Sequence, residues 1–139
     1  MSRRRGSEPQ FDPRSQSRER ALSLMYEVEA KGISADSVLE ALVVPADEPV
    51  REIVLGVASH AEKIDAIIMS YAEGWTIERM PTIDRLILRM AVFEILERPT
   101  LPLAVIIDEA VELAKRFSTD DSGRYINGVL GAAGRQLRH

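Results

Sequence analysis

The chain has no cysteine, only two histidines, only three lysines among its basic residues, and seven aromatic side chains in 139 positions. Without cysteine there are no disulfides, no thiolate zinc sites, no iron–sulfur clusters and no Cys nucleophile. One of the histidines, His139, is the last residue, so a Ser-His-Asp triad or a histidine-based metal site would have to be built on His60 alone. No apolar run reaches the roughly 18 residues that span a bilayer. The opening Met1-Ser-Arg-Arg-Arg-Gly carries charge but no apolar segment behind it, which does not read as a secretory signal. The expectation is an intracellular, cytoplasmic, non-redox protein without a membrane role.

Composition is otherwise that of a globular chain, with 45% apolar and 29% charged residues. Its length suits a single compact domain that buries about two-thirds of its unfolded surface. Charge is unevenly spread. Residues 1–20 hold six arginines and three acids, a balance of +3, and the other 119 residues balance at −7, which together give the net −4. An acidic body with an arginine-rich leading arm will not coat nucleic acid indiscriminately, but it can set a few positive charges on one polyanion. Arginine suits bidentate phosphate contacts and base stacking better than lysine does. A GC-rich genome would produce the same bias.

Helical periodicity runs through almost the whole chain. Residues 1–13, rich in Arg, Ser, Gly and Pro, read as a flexible tail ahead of one helical domain over 14–139. Ala21, Leu24, Met25 and Val28 mark the first helix face, stopped by Gly32. Ser34 caps a short second helix. Asp47 and Pro49 open the longest stripe, from Val50 to Tyr71, which predicts one helix of about six turns. A single turn is expected over 75–80. Pro81 starts a helix that is apolar around most of its circumference and is therefore expected at the centre of the packing. Further helices follow Pro102 and the polar turn 118–123. No segment sustains the period-two alternation of a strand. The fold class is all-α, with six or seven helices and no fixed repeat.

A search for catalysis returns little. His60 beside Ser59 reads as a helix-flank histidine, and its neighbours Glu62 and Asp65 match no metal-ligand spacing. Asp120-Asp121-Ser122-Gly123 lacks the alternating ligands of a calcium loop and reads as a helix-capping turn. Gly128, Gly131 and Gly134 follow no strand, so they are expected to permit close helix approach rather than to cradle a phosphate. Asp108, Glu109 and Glu112, with a Glu112–Arg116 pair, read as a solvated salt-bridged face. The chain is expected to be no enzyme and to need no metal or cofactor.

What remains is the junction of the arginine arm with the first helix. Arg14 and Arg18 lie four apart on one face, and Tyr26 lies two turns beyond Arg18, about 80° around. Guanidinium groups for phosphates and a ring for a base are what single-stranded RNA requires. The same residues also fit an exposed helix start and a buried ring.

Several segments resemble the NusB family of transcription antitermination factors. They are Arg18-Glu-Arg-Ala-Leu-Ser-Leu-Met-Tyr26, Gly56-Val57, Asp84-Arg-Leu-Ile-Leu-Arg89 with Phe93-Glu94, and Asp108-Glu-Ala-Val-Glu-Leu-Ala-Lys115. Most specific is Asp121-Ser-Gly-Arg-Tyr-Ile-Asn-Gly-Val-Leu130, similar to the family's Ser-x-x-Phe-Val-Asn-Gly-Val-Leu. The resemblance covers about residues 14–134 in unbroken order. It implies two three-helix bundles sharing a central region. It also implies a role: such proteins pair with the small ribosomal protein NusE, bind boxA RNA of nascent ribosomal RNA transcripts, and join RNA polymerase and other Nus factors in resisting termination.

By this resemblance Arg14, Arg18 and Tyr26 fall where the family meets RNA, with Arg85 and Arg89 as additional RNA contacts. Asp84, Asp121 and Tyr125 fall on the side that meets NusE. An acidic body suits a basic ribosomal protein. Taken by themselves, Asp121 also reads as the N-cap of the last helix and Tyr125 as a first-turn core residue. Ser15 and Gln16 interrupt the arginine run found in some relatives, so RNA binding is expected to be weak alone and tighter with NusE. Some relatives self-associate through the RNA-facing surface, which leaves a homodimer open. Two other roles compete: a helical interaction scaffold with no RNA function, and the NusB-like domain found at the amino end of ribosomal RNA cytosine methyltransferases, which use a Cys nucleophile this sequence lacks.

Overall fold

The computed structural model describes residues 13–138. The expected tail therefore lies outside the described residues, save that Pro13 already opens the first helix. Seven α-helices follow one another: Pro13–Lys31 (α1), Ala35–Glu40 (α2), Glu48–Ser59 (α3), Ala61–Tyr71 (α4), Thr82–Glu97 (α5), Leu103–Phe117 (α6) and Asp120–Leu137 (α7). A 3-10 turn, Ile77–Arg79, leads into α5, as the sequence predicts. No strand occurs among the described residues.

Local chemistry sets the boundaries. Gly32, at φ 65, takes the left-handed conformation that ends α1, and its N–H donates to the Val28 carbonyl at 3.0 Å. The Ser34 hydroxyl accepts from the Ser37 N–H at 3.1 Å and so caps α2. Pro81 and Pro102 occupy the N-cap positions of α5 and α6.

Helices α1, α2 and α3 pack on one another, as do α5, α6 and α7, with α4 laid along α5 and α7. Helix α5 touches α1, α3, α4, α6 and α7. Buried residues follow almost without interruption from Leu86 to Ile95, which is why its sequence is apolar all round. One continuous core results. It holds Leu24 of α1, Ile64 and Ile68 of α4, Ile87 and Leu88 of α5, and Ile126 and Leu130 of α7.

The single helix expected over 50–71 is broken. The chain turns at His60, at φ −111 and ψ 20, between α3 and α4. The apolar stripe continues across the break, so spacing alone does not reveal it. The Gly56 carbonyl explains it. That oxygen accepts from the His60 N–H at 3.1 Å and the Ser59 hydroxyl at 3.2 Å, and lies 2.8 Å from His60 Nδ1. Side chains thus compete with the helical ladder where α3 ends. Gly56 itself has no room for a side chain, because a Cβ there would overlap the Phe93 ring.

Close approach also holds for one of the three C-terminal glycines. A Cβ at Gly134 would lie 2.6 Å from Leu103 Cδ2, whereas Gly128 faces open space and Gly131 meets only Arg135. Gly134→Ala is therefore expected to destabilise the fold by about 1 kcal/mol, with the Leu103 tip shifting to make room. Gly128→Ala is expected to be neutral or stabilising by a few tenths of a kcal/mol through helix propensity. Urea unfolding of the two variants checks this, and equal midpoints would contradict it.

Candidate nucleic-acid interface and partner pocket

Arg18 lies on the inner side of α1. It is 3% exposed, and its guanidinium grips the Glu94 carboxylate of α5 through Nε at 2.8 Å and Nη2 at 3.1 Å. Its third nitrogen, Nη1, donates to Glu109 of α6 at 3.2 Å, and Glu109 also accepts from the Ser15 hydroxyl at 2.6 Å. Burial pulls the guanidinium pKa down, but the hydrogen bonds and charge of Glu94, with Glu109 behind it, outweigh this and hold it above the ordinary arginine value. The expectation that Arg18 meets phosphate is thereby corrected. Glu109 is likewise no member of a solvated acidic face. Arg116 pairs across to Glu19 of α1 at 2.6 Å rather than with Glu112.

Arg85 and Arg89 are also engaged by protein acceptors, though each remains partly exposed. The Arg85 fork donates to the Ile77 carbonyl at 3.2 Å, the Met80 carbonyl at 3.4 Å and the Thr82 hydroxyl at 3.4 Å, and it pairs with Glu29. Burial, then the neighbouring Arg89 charge, lowers its pKa. Arg89 forks onto Asp65 at 2.8 and 3.0 Å and reaches Glu29 at 3.3 Å. Both arginines tie α5 to α1, α4 and the 3-10 turn, and their donors are turned onto protein acceptors.

The outward face of α1 tells a different story. Gln16, Arg20, Ser23 and Tyr26 are all exposed, Tyr26 to 48%, and Arg14 is exposed in the first turn on the side of the helix it shares with Arg18. Arg20 has no ion-pair partner among the described residues. Beside it opens a groove of about 640 Å³, walled by Tyr26, by Ile83 of α5 and by Phe117 at the end of α6. Sequence reasoning missed Arg20 and Phe117.

A second pocket, of about 390 Å³, is lined in part by the chain neighbours of the groove residues Ile83 and Phe117. Asp84, Asp121 and Tyr125 all line it, with Trp75 and Ser122. Asp84 is 5% exposed, and only one of its carboxylate oxygens is satisfied, Oδ2 accepting from the Ser122 hydroxyl at 2.7 Å. Oδ1 is buried without a donor, and so is the Tyr125 hydroxyl without a partner. Burial, then the charge of Asp84, raises the Tyr125 pKa, so the phenol stays protonated and can donate. Two unsatisfied buried polar atoms beside a cavity are costly unless a ligand completes them. Asp121 is exposed and pairs with Arg124. It does not cap α7: Thr119 does, its hydroxyl accepting from the Ser122 N–H at 2.9 Å. Trp75, absent from the expected site, stands 6.2 Å from the Tyr125 ring at 57°.

The model of the NusB family matches residues 15–135. The chain belongs to the NusB family. Relatives named transcription antitermination protein NusB are 44% identical in Beutenbergia cavernae, over 85% of this chain and 86% of that one, and 45% identical in Saccharopolyspora erythraea, over 85% and 84%. Among solved structures, T. maritima NusB superposes with a TM-score of 0.82 at 28% identity, covering 91% of this chain and 94% of that one. A complex described as the antitermination factors NusB and NusE with dsRNA shares the fold at a TM-score of 0.75 and 23% identity, over 88% and 96%. The seven-helix arrangement around α5 is thus the NusB fold.

Proposed function

We propose that the chain is a transcription antitermination factor that pairs with NusE and, with it, holds boxA-type single-stranded RNA of nascent ribosomal RNA transcripts for RNA polymerase and the other Nus factors. The observation that carries this reading is the sorting of surfaces within a NusB-family fold. Arg20 and Tyr26 line one groove beside α1, with Arg14 exposed at the start of that helix, while the acids Asp84 and Asp121 gather with Tyr125 at a separate pocket. RNA meets Arg14, Arg20 and Tyr26. Arg18 serves by fixing the helix that carries them. The pocket takes NusE, a basic partner whose donor would satisfy Asp84 Oδ1.

Such a protein works by binding, in the cytoplasm, and not by catalysis. A homodimer formed over the α1 face would compete with RNA, so light scattering should show any dimer dissociating as RNA is added. The decisive experiment is a boxA RNA titration with and without NusE. Binding is expected to tighten about tenfold with NusE present, a coupling of roughly 1.4 kcal/mol. Asp84→Asn is expected to remove most of that gain while leaving binding by the chain alone unchanged. Equal affinity with and without NusE would refute the pairing, and a chain that retained NusE but no RNA would be the interaction scaffold instead.

A further inference from the structure

A different groove, of about 460 Å³, lies between the start of α1 and the link from α2 to α3. Gln16, Ser17 and Arg20 form its α1 wall, and Val44, Pro45 and Pro49 the opposite one. Val44 is 73% exposed and its neighbour Val43 98%, the two highest values for a large apolar side chain among the described residues. An apolar patch rimmed by charge marks a surface that meets a partner. The rim here is acidic. Glu40, Asp47 and Glu48 are exposed and have no ion-pair partner among the described residues. Asp47, at the N-cap position of α3, makes no side-chain capping bond either, and it lines the groove.

We infer that this groove is the docking site of the chain's own leading segment, with the Phe11 ring seated between the first turns of α1 and Val44, and Arg3-Arg4-Arg5 carried onto the acids of the α2–α3 link. The inference stands apart from the RNA-binding reading. Twelve residues precede the described chain and join it at Pro13, three positions before the groove wall begins at Gln16. Phe11 is the one aromatic residue among those twelve. In Phe11-Asp12-Pro13 a residue of N-cap type precedes a proline at the first helical position. An apolar residue ahead of an N-cap packs beside the fourth residue of the helix, which is Gln16. Tyr26 is out of its reach: about 20 Å of helix separates Tyr26 from Pro13, against roughly 7 Å of chain between Phe11 and Pro13. Arg5 follows on a tether of at most about 20 Å from Phe11. Arg20, the groove's one cation, gains the face of an aromatic ring. A segment of the same chain also acts at an effective concentration in the millimolar range, which a separate protein segment would have to match.

The test uses the full chain. With the photo-crosslinker p-benzoylphenylalanine at position 11, irradiation of dilute protein is expected to join that residue to the 43–49 segment of the same chain. In hydrogen exchange, Phe11→Ser is expected to speed exchange of the Val43, Val44 and Ala46 amides about fivefold, and Phe11→Leu less than about twofold. Changing Arg3, Arg4 and Arg5 together to Gln is expected to cut the crosslink yield to about half, and 1 M salt is expected to do the same to the unaltered arm. Crosslinks confined to α1, with unchanged exchange over 43–47 in Phe11→Ser, would reduce Phe11 to a local contact at the helix end and overturn the docking. Crosslinks between two chains, growing with protein concentration, would give the groove to a second copy and overturn it equally. A yield indifferent both to the arginine changes and to salt would overturn the placing of the arginines on the link.

Discussion

Arg18→Met is expected to destabilise the fold by about 3–5 kcal/mol, because it leaves the Glu94 carboxylate buried and uncompensated. Glu94 is 4% exposed, and its two oxygens take the Arg18 fork at 2.8 and 3.1 Å. A second cation, Arg98, stands 3.8 Å from Glu94 Oε2 and cannot replace those bonds. In thermal unfolding this loss would lower Tm by roughly 10 °C or more for a domain of this size. Replacing both partners, as Arg18→Met with Glu94→Met, is expected to recover most of the stability, since two apolar side chains of similar volume bring no charge out of water. The Arg18 pKa lies above its unfolded value, so its stabilising contribution is present throughout the ordinary pH range and is lost only as pH rises through the raised pKa of the folded group. A phosphate-contacting Arg18 would behave differently: its removal would leave Tm in place and lower RNA affinity. A fall in Tm of less than about 3 °C would therefore contradict the buried clamp.

The second large effect is expected at the far end of the chain. Arg138 folds back onto the C-terminus of α5, where its nitrogens donate to the carbonyls of Leu101 at 2.5 Å, Arg98 at 2.7 Å, Ile95 at 3.1 and 3.2 Å and Glu94 at 3.4 Å. A helix end leaves its last carbonyls without helical donors, and a cation there also meets the negative end of the helix dipole. Arg138→Ala is expected to lower stability by about 2–3 kcal/mol, as several charge-assisted bonds are lost together. Arg138→Lys is expected to recover less than half, because an ammonium cannot reproduce a planar fork that reaches four carbonyls. Urea midpoints of the two variants check this, and a lysine variant equal to wild type would show that charge alone matters.

These two arginines mark the limit of what the sequence discloses. The helix ends were legible because Gly32, Pro81 and Pro102 act on their own neighbours. Helix α5 was legible as central because its apolar residues run right around it. Arg18 was read correctly as sharing a helix face with Arg14, but the carboxylates that claim it lie 76 and 91 residues away along the chain. No periodicity reports on partners so remote, and a surface cation and a buried one look alike in a row of letters. The turn at His60 escaped because the apolar stripe passes straight through it, while the bonds onto the Gly56 carbonyl are made by polar atoms the stripe ignores. Asp84, Asp121 and Tyr125 came from the family resemblance, and they do line one pocket. Neither their spacing nor their chemistry would have brought residues of α5 and α7 together. Trp75 had a signal that went unused, being the one tryptophan of the chain and directly following a glycine at φ 79.

That lone indole carries a practical consequence. It is 44% exposed on the rim of the Asp84 pocket, beside Tyr125, and no second tryptophan exists to obscure it. Its emission is an intrinsic optical gauge at one mouth of the molecule. A spectral shift on adding a ligand would report occupancy there without any attached dye, in the unaltered chain and in real time.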